Sequence, residues 1–245
     1  MFTGIVQAVA RIATIEDLSG LRSLSIDFPD GFCEDLTLGA SVAVDGVCLT
    51  VTRIESPTRA RFDVMQQSLA VTTLGGYGVG QTVNVERAAR EGAEIGGHPL
   101  SGHVDCSARL AQVRALENNL VWRIAMPASH MRYVFAKGYI AVNGASLTVA
   151  ECDRGAGWFE VWLIPETRRA TVFEHKREGD ALNIEVERAS AVMVDTVHEA
   201  LDERLAPLTA AVEALLAAQG RSLQDFAGLA PLSSAQALGG GPGRR

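Results

Sequence analysis

Between residues 41 and 51 the chain reads SVAVDGVCLTV, with apolar residues at every second place on either side of Asp45-Gly46. A period of two is the signature of a half-buried strand, and Asp-Gly is a favoured two-residue hairpin turn. With the turn placed there, Val44 pairs with Val47 and Val42 with Leu49 on one face. Ala43 then pairs with Cys48, and Ser41 with Thr50, on the other. The pattern returns at residues 139–149, YIAVNGASLTV, around Asn143-Gly144. In each hairpin one face is bulky and apolar and suits a core, while the other is made mostly of small residues that can hydrogen-bond. That second face is either an ordinary solvated wall or the wall of a ligand site. Cys48 favours the ligand wall, since a free thiol is seldom left on a water-facing strand.

The two hairpins belong to a longer repeat. Shifting the chain by ninety-eight residues sets TGIVQ (3–7) on SGHVD (101–105), ARI (10–12) on ARL (108–110), and VAVDGVCLTV (42–51) on IAVNGASLTV (140–149), with six of those ten positions identical. After a one-residue insertion QS (67–68) falls on ET (166–167) and VNVE (83–86) on LNIE (182–185). Conserved order over about ninety residues indicates a duplicated domain, one unit over 1–97 and a second over 98–188. Both are rich in short Val, Ile, Phe and Thr runs separated by Gly, Asp and Asn, which predicts a small barrel or sandwich. No long amphipathic helix interrupts either unit, so a βαβ arrangement is not expected. GGYGVG (75–80) lacks the GxGxxG spacing and reads as a turn before the QTVNVE strand, not as a phosphate loop.

From Ala189 the pattern changes period. Val194, Leu201, Leu208 and Leu215 recur every seven residues, with Val197, Leu205 and Val212 between them. This is a helical stripe of coiled-coil type, read as an oligomerisation helix over 189–219. Pro207 is expected to kink or end it near Ala206. Residues 220–245, closing on ALGGGPGRR, are expected to be a flexible tail.

Composition narrows the class. No apolar run approaches the ~18 residues of a membrane span, and no basic-then-apolar leader opens the chain. The net charge is −7, and no Lys/Arg run marks a nucleic-acid face. Cys33, Cys48, Cys106 and Cys152 are scattered without a CxxC pair, which argues against a zinc ribbon or a disulfide framework and suits a reducing cytoplasm. His98, His103, Asp105 and Cys106 lie close in sequence, but their spacing fits no standard zinc pattern.

Taken together, MFTGIV, the GASVAVDGVCLTV strand pair, EIGGHPLSGHVD at the junction, KGYIAVNGASLTV and IPET resemble riboflavin synthases, the lumazine-binding two-barrel family; the likeness covers residues 1 to about 205. The resemblance implies an all-β chain of two six-stranded Greek-key barrels with a C-terminal helix, assembled as a homotrimer. It implies dismutation of two 6,7-dimethyl-8-ribityllumazine molecules to riboflavin and 5-amino-6-ribitylamino-uracil, with no cofactor and no metal. It places the active site between the N-barrel of one chain and the C-barrel of its neighbour. On this resemblance Ser41, Cys48 and Thr50 line the N-barrel pocket, and Lys137, Ser146 and Thr148 the C-barrel pocket. His103 is the candidate for proton transfer, its type suited by pKa, and Glu187 belongs to the catalytic neighbourhood. Gly4, Val6, Gln67, Ser68, Gly102, Val104, Ile164, Glu166 and Thr167 are substrate-binding candidates. A small molecule is the implied partner, with neither nucleic acid nor membrane.

Alternatives stand beside these roles. Cys48 can serve as a small buried hydrophobe, His103 as a structural hydrogen-bonding residue, Lys137 as a solvated cation. The chain also departs from the family. Gln67-Ser68 stands where Glu-Thr is usual, Arg168 replaces Leu, Asn143 a common Asp and Glu187 an Asp, and the C-terminus runs some thirty residues further. A non-catalytic lumazine- or flavin-binding protein of the same fold is therefore the competing class. The survival of both CLTV and SLTV favours the enzyme.

Overall fold

A computed structural model describes residues 1–226. Twelve strands and four α-helices follow in order: β1 (Ala8–Leu18), β2 (Leu21–Asp27), β3 (Ser41–Val44), β4 (Val47–Ser56), β5 (Arg59–Met65), α1 (Gln66–Val71), β6 (Thr82–Arg87), β7 (Cys106–Leu116), β8 (Asn119–Ala125), α2 (Ala128–Met131), β9 (Tyr139–Val142), β10 (Ala145–Asp153), β11 (Trp158–Leu163), α3 (Pro165–Ala170), β12 (Ala181–Val186) and α4 (Arg188–Ala217). The strands close two antiparallel barrels, in the orders β1-β2-β5-β4-β3-β6 and β10-β11-β8-β7-β12-β9. Both lie in one compact unit, Met1–Val194, and the described chain from Asp195 forms a second.

The expected hairpins form in the expected register. Val44 pairs with Val47 and Ser41 with Thr50; Val142 pairs with Ala145 and Tyr139 with Thr148. Asp45 and Gly46 have φ of 44° and 81°, and Asn143 and Gly144 have 43° and 78°. Two positive φ values in succession are what a type I′ turn requires, and Asp-Gly and Asn-Gly supply them at low cost. Val42, Val44, Val47 and Leu49 enter the first barrel's core, and Ile140, Val142, Ala145 and Leu147 the second's. Closure removes every free strand edge that an open six-stranded sheet would expose.

The barrels meet where the two turns touch. A Cβ on Gly46 would stand 2.7 Å from the Gly144 nitrogen, and one on Gly144 would stand 2.8 Å from the Gly46 nitrogen. No side chain fits between them. Two buried asparagines lace the contact reciprocally. Asn84 donates to the Asn143 carbonyl and accepts from the Val172 amide, while Asn183 donates to the Asp45 carbonyl and accepts from the Thr73 amide. The leading segments then cross over. Phe2 and Leu100 pair through both backbone bonds, at 2.8 and 3.0 Å. Val6 packs against the second barrel's core and Val104 against the first's. Phe2, Leu100, Ala43 and Ala141 make a small shared cluster.

The GGYGVG stretch begins in a 3-10 turn, Thr73–Gly76, and leads into β6 as a turn should. Pro207 does not end the helix near Ala206: α4 runs from Arg188 to Ala217 with Pro207 inside it. Proline removes one intrahelical hydrogen bond, but the flanking turns keep theirs, and Ala, Leu and Glu around it are strong helix formers. Residues 227–245, including ALGGGPGRR, lie outside the described residues.

Asp45 carries a testable cost. Its carboxylate is wholly buried and accepts from the Tyr77 hydroxyl at 2.5 Å and the Asn84 amide at 2.8 Å. Burial raises its pKa from 3.8 to about 6, against the pull of those two bonds and of Lys176. A raised carboxylate pKa means that the folded state holds its proton more tightly than the unfolded state. That contribution is present in full below about pH 4 and is lost as pH rises through about 6. At the equivalent turn the second barrel has Asn143, which accepts from the Asn183 amide at 2.7 Å. Asp45→Asn should therefore raise the stability above pH 7, by an amount on the order of 2–3 kcal/mol at most, with a higher Tm there, and flatten the stability profile between pH 4 and 6. Thermal melts of both proteins across pH 4–8 check this; a variant losing the same stability at pH 5 and pH 7.5 refutes it.

Candidate functional site: two hairpin walls of unequal chemistry

The small-residue face of each hairpin proves to be divided. Its turn-proximal half is barrel contact: Ala43 and Ala141 are buried beneath Phe2 and Leu100. Its distal half is open, with Thr50, Tyr139 and Thr148 exposed and Ser41 half-buried. Cys48 and Ser146 sit at the boundary, both half-buried.

A buried glutamate fixes each leading segment against the wall. Glu86 accepts from the Thr3 amide and hydroxyl at 2.6 and 2.7 Å and from the Gly4 amide at 3.0 Å. Glu185 takes the same three bonds from Ser101 and Gly102, at 2.8, 2.7 and 3.0 Å. Burial raises the pKa of both carboxyls, and the donors pull back toward the ionised form. Held in this way, Gly4 accepts from the Ser146 amide and Gly102 from the Cys48 amide, each at 2.8 Å. A Cβ on Gly4 would lie 2.6 Å from the Ser146 Cβ, and one on Gly102 2.6 Å from the Cys48 Cβ, so only glycine passes.

The residues singled out from sequence thus fall into two sets. The first holds Ser41, Cys48, Thr50, Gly102, His103 and Val104, with Gln67 and Ser68 on α1 after the neighbouring strand β5. The second holds Gly4, Val6, Lys137, Ser146, Thr148 and Ile164, with Glu166 and Thr167 on α3 after β11. Among the described residues no hydrogen bond joins one set to the other. Glu166 is exposed and bound to Arg169 at 2.5 Å, and Arg168 makes two bonds to Glu174 at 2.7 and 2.8 Å. Lys137 has φ of 69°, where the first barrel has Gly39 at 81°. A lysine held in that region carries strain of the order of 1 kcal/mol, which is typical of positions kept for function.

The histidine in contact with Ser146 is His98, which the sequence reading weighed only as a metal ligand. Its Nδ1 lies 2.6 Å from Ser146 Oγ, and its ring stacks on Tyr139 at 5.1 Å. Its Nε2 is buried with no hydrogen-bond partner among the described residues. Burial pushes the His98 pKa down, and the Glu187 charge partly restores it. Burial thus favours the neutral imidazole, the form able to take a proton from the serine. His103 is exposed, its amide held by the Ser101 hydroxyl at 3.1 Å. Burial tends to raise the Glu187 pKa, but bonds from Ser190 and the Ala189 amide outweigh it and hold the carboxylate ionised at the start of α4. The sequence did contain a signal for the two glutamates, since VNVE and LNIE align in the repeat. His98 has no such echo, because contact with Ser146 forms only when the barrels dock.

Comparison with known proteins places this architecture. The lumazine binding domain matches twice, at residues 3–88 and 101–187. A solved structure of LumP complexed with riboflavin superposes with a TM-score of 0.71 at 26% identity, covering 76% of this chain and 100% of that one. LumP complexed with 6,7-dimethyl-8-(1'-D-ribityl) lumazine gives 0.69 at 25% identity, covering 76% and 99%. The fold is thus that of a duplicated lumazine-binding protein. At the level of sequence the riboflavin synthase of Escherichia coli K12 is 42% identical over 205 residues, covering 83% of this chain and 95% of its own length. That of Chlamydia pneumoniae is 41% identical over 201 residues, covering 82% and 97%. The chain belongs to the riboflavin synthase family.

The unequal sets predict unequal mutants. Ser146 has an imidazole at hydrogen-bond distance, whereas no imidazole is hydrogen-bonded to Cys48 among the described residues. Ser146→Ala should lower kcat by about 100-fold, the usual scale for losing a positioned proton-transfer group, and Cys48→Ala by about tenfold or less. Ligand affinity should change only modestly in both. Steady-state kinetics with the lumazine, paired with equilibrium titrations, measure this, and equal losses in kcat would refute the division.

Proposed function

We propose that the protein converts two molecules of 6,7-dimethyl-8-ribityllumazine into riboflavin and 5-amino-6-ribitylamino-uracil, with one molecule giving and the other accepting a four-carbon unit. The observation that carries this reading is the pair of half-open walls, alike in backbone and unlike at Cys48 and Ser146. A reaction that consumes two copies of one molecule in different roles needs two pockets that share a binding face and differ near the reacting atoms.

The chemistry asks little of the protein beyond placement and proton movement. The C7 methyl of the lumazine is acidic because the ring system delocalises the anion. Holding two rings in reacting geometry can supply on the order of 7–11 kcal/mol of the barrier, and polar groups set at the shifting charge supply more. Ser146, with neutral His98 as its base, is placed to activate a nucleophile or add to the acceptor ring. Glu187 supports the imidazolium that forms when His98 takes the proton. The hydroxyls of Ser41, Thr50 and Thr148 are available to the polar edges of the rings.

In this proposal the working unit is a homotrimer, and a complete site joins the N-barrel wall of one chain to the C-barrel wall of the next. Two features support it: the two sets share no hydrogen bond within a chain, and Val197, Leu201, Leu205, Leu208, Val212 and Leu215 are all exposed along α4. Among the described residues no helix is long and apolar enough to cross a membrane, and all four cysteines are free; a cytoplasmic setting accords with both.

Purified protein, without added metal or nucleotide, should form flavin absorbance from the lumazine, with two consumed per riboflavin made. Tight binding with no product over hours would move the protein to the pigment-binding class. Cutting the chain after Ala191 should leave both barrels folded, because their strands end at Val186, and still binding lumazine. Turnover of the truncated chain should fall steeply on dilution and partly recover when concentrated. A truncated chain that sediments as a monomer with full, concentration-independent activity would place both pockets within one chain.

A further inference from the structure

The open half of the C-barrel wall carries a feature that the N-barrel wall lacks. Tyr139 pairs with Thr148 on one side, and Val149 pairs with Val161 on the other. Extending the second register by one residue sets Trp162 beside Thr148, on the same outward face. Ile164 follows two residues on. Trp162, Tyr139 and Ile164 are 48, 52 and 54% exposed. One exposed apolar residue on a barrel wall is ordinary, but three gathered around the Ser146 and Thr148 hydroxyls make a patch of the kind that marks a binding site.

In the first barrel Met65 is likewise exposed at the place of Ile164, but the cross-strand row itself reads differently. Ser41 pairs with Thr50, and the Val51–Phe62 register extended by one residue sets Asp63 beside Thr50. Asp63 is bound to the Ser23 hydroxyl at 2.5 Å. The N-barrel wall is therefore a serine, a threonine and a carboxylate where the C-barrel wall is a tyrosine, a threonine and an indole. An indole offers a flat, polarisable face to a fused heteroaromatic ring. A carboxylate offers that ring no such face, and its desolvation opposes binding.

We propose that Trp162 is a ring-binding residue of the C-barrel pocket, and that the Trp162/Asp63 difference makes the C-barrel pocket the tighter of the two for a lumazine or flavin ring. The proposal rests on the lumazine reading above and adds to it a source of affinity and a ranking of the sites. The two sites fill in order, the C-barrel pocket first, before a second ring arrives in the weaker one. Trp162 is also a built-in reporter. Of the three tryptophans, Trp122 is buried in the second barrel's core and Trp158 lies under the Arg123 guanidinium at 3.9 Å.

The test is titration of the full-length protein with 6,7-dimethyl-8-ribityllumazine and with riboflavin, read by indole quenching and by ligand absorbance, for wild type and Trp162→Ala, Trp162→Phe, Trp158→Phe and Asp63→Ala. Trp162→Ala should weaken the tighter site by about tenfold or more, and Trp162→Phe by less than about threefold. Trp158→Phe should keep both the affinity and the ligand-dependent quench, and Asp63→Ala should leave the tighter site within about twofold. Sedimentation of each variant accompanies the titration. An unchanged tighter site in Trp162→Ala, with wild type binding and turning over normally, overturns this inference alone. So does an affinity loss that follows a loss of assembly, since Trp162 would then pack between copies. A wild type that neither binds nor converts the lumazine removes the functional reading, and this inference with it.

Discussion

Everything at the site depends on two hairpin turns that touch backbone to backbone. With no side chain between them, Gly46 and Gly144 bring the barrels as close as the chain allows. At that distance Asn84 and Asn183 span the contact, each using donor and acceptor together on the opposite barrel. Buried amides left without partners would cost roughly 1–3 kcal/mol each, so the reciprocal arrangement fixes not only the separation of the barrels but also their rotation. Once that is fixed, each leading segment has a single path, across the other barrel's hairpin and under the glutamate that holds it. The walls are then half covered and half open, and Cys48 and Ser146 fall on the boundary. A β-branched residue at Gly46 would push the turns apart and carry this boundary with them.

On that frame the two halves of the chain diverge in a consistent way. What they share is mostly scaffold: Asn84 and Asn183, Glu86 and Glu185, Gly4 and Gly102. Among what they do not share, Cys48 against Ser146, Gly39 against Lys137 and Asp63 against Trp162 lie at the open wall or beside it, while Asp45 against Asn143 and Tyr77 against Lys176 belong to the turn contact. Duplication first gives two equal pockets, and a reaction with unequal partners then favours changes that leave the backbone alone. Lys137 is the clearest instance. The position demands positive φ, which Gly39 meets freely, yet the second barrel holds a lysine there at a cost in strain.

Much of this was legible in the sequence because it is local. A period of two, a turn dipeptide and a repeat of about ninety residues gave the hairpins, their register and the duplicated barrels. Family motifs brought the right strands to attention, and most candidate residues do stand on or beside the two walls. That His98 is the imidazole against Ser146 was not legible, for a physical reason. Nothing local separates His98 from His103, since both follow glycine in GGHPLSGH. The choice is made by the crossing of the leading segments, which buries one ring against Ser146 and leaves the other exposed. Pro207 does not end the helix: the rule that proline breaks helices concerns one hydrogen bond, and a thirty-residue helix rich in Ala, Leu and Glu continues past it.

The chemical division between the pockets follows from where burial falls. A histidine in water shares its time between charged and neutral forms near neutrality, and a serine hydroxyl beside it gains little. Buried at 3% exposure, His98 is pushed toward the neutral form, and its Nδ1 meets the Ser146 hydroxyl at 2.6 Å. The Glu187 carboxylate acts against that push, favouring the imidazolium that a proton transfer would create. It stays ionised because Ser190 and the amides at the start of α4 hold it. Replacing the family's usual aspartate with a longer glutamate keeps the charge and changes its reach, and the first turn of α4 is what fixes where that charge ends up. Cys48 has no such chain of partners behind it. Its backbone amide donates to the Gly102 carbonyl and its side chain packs against the small cluster of Phe2, Ala43, Leu100 and Ala141, contacts that supply no base. The two walls thus share a backbone and part at the side chains behind it: an imidazole and a carboxylate stand behind the Ser146 hydroxyl, and no such pair is hydrogen-bonded to the Cys48 thiol among the described residues.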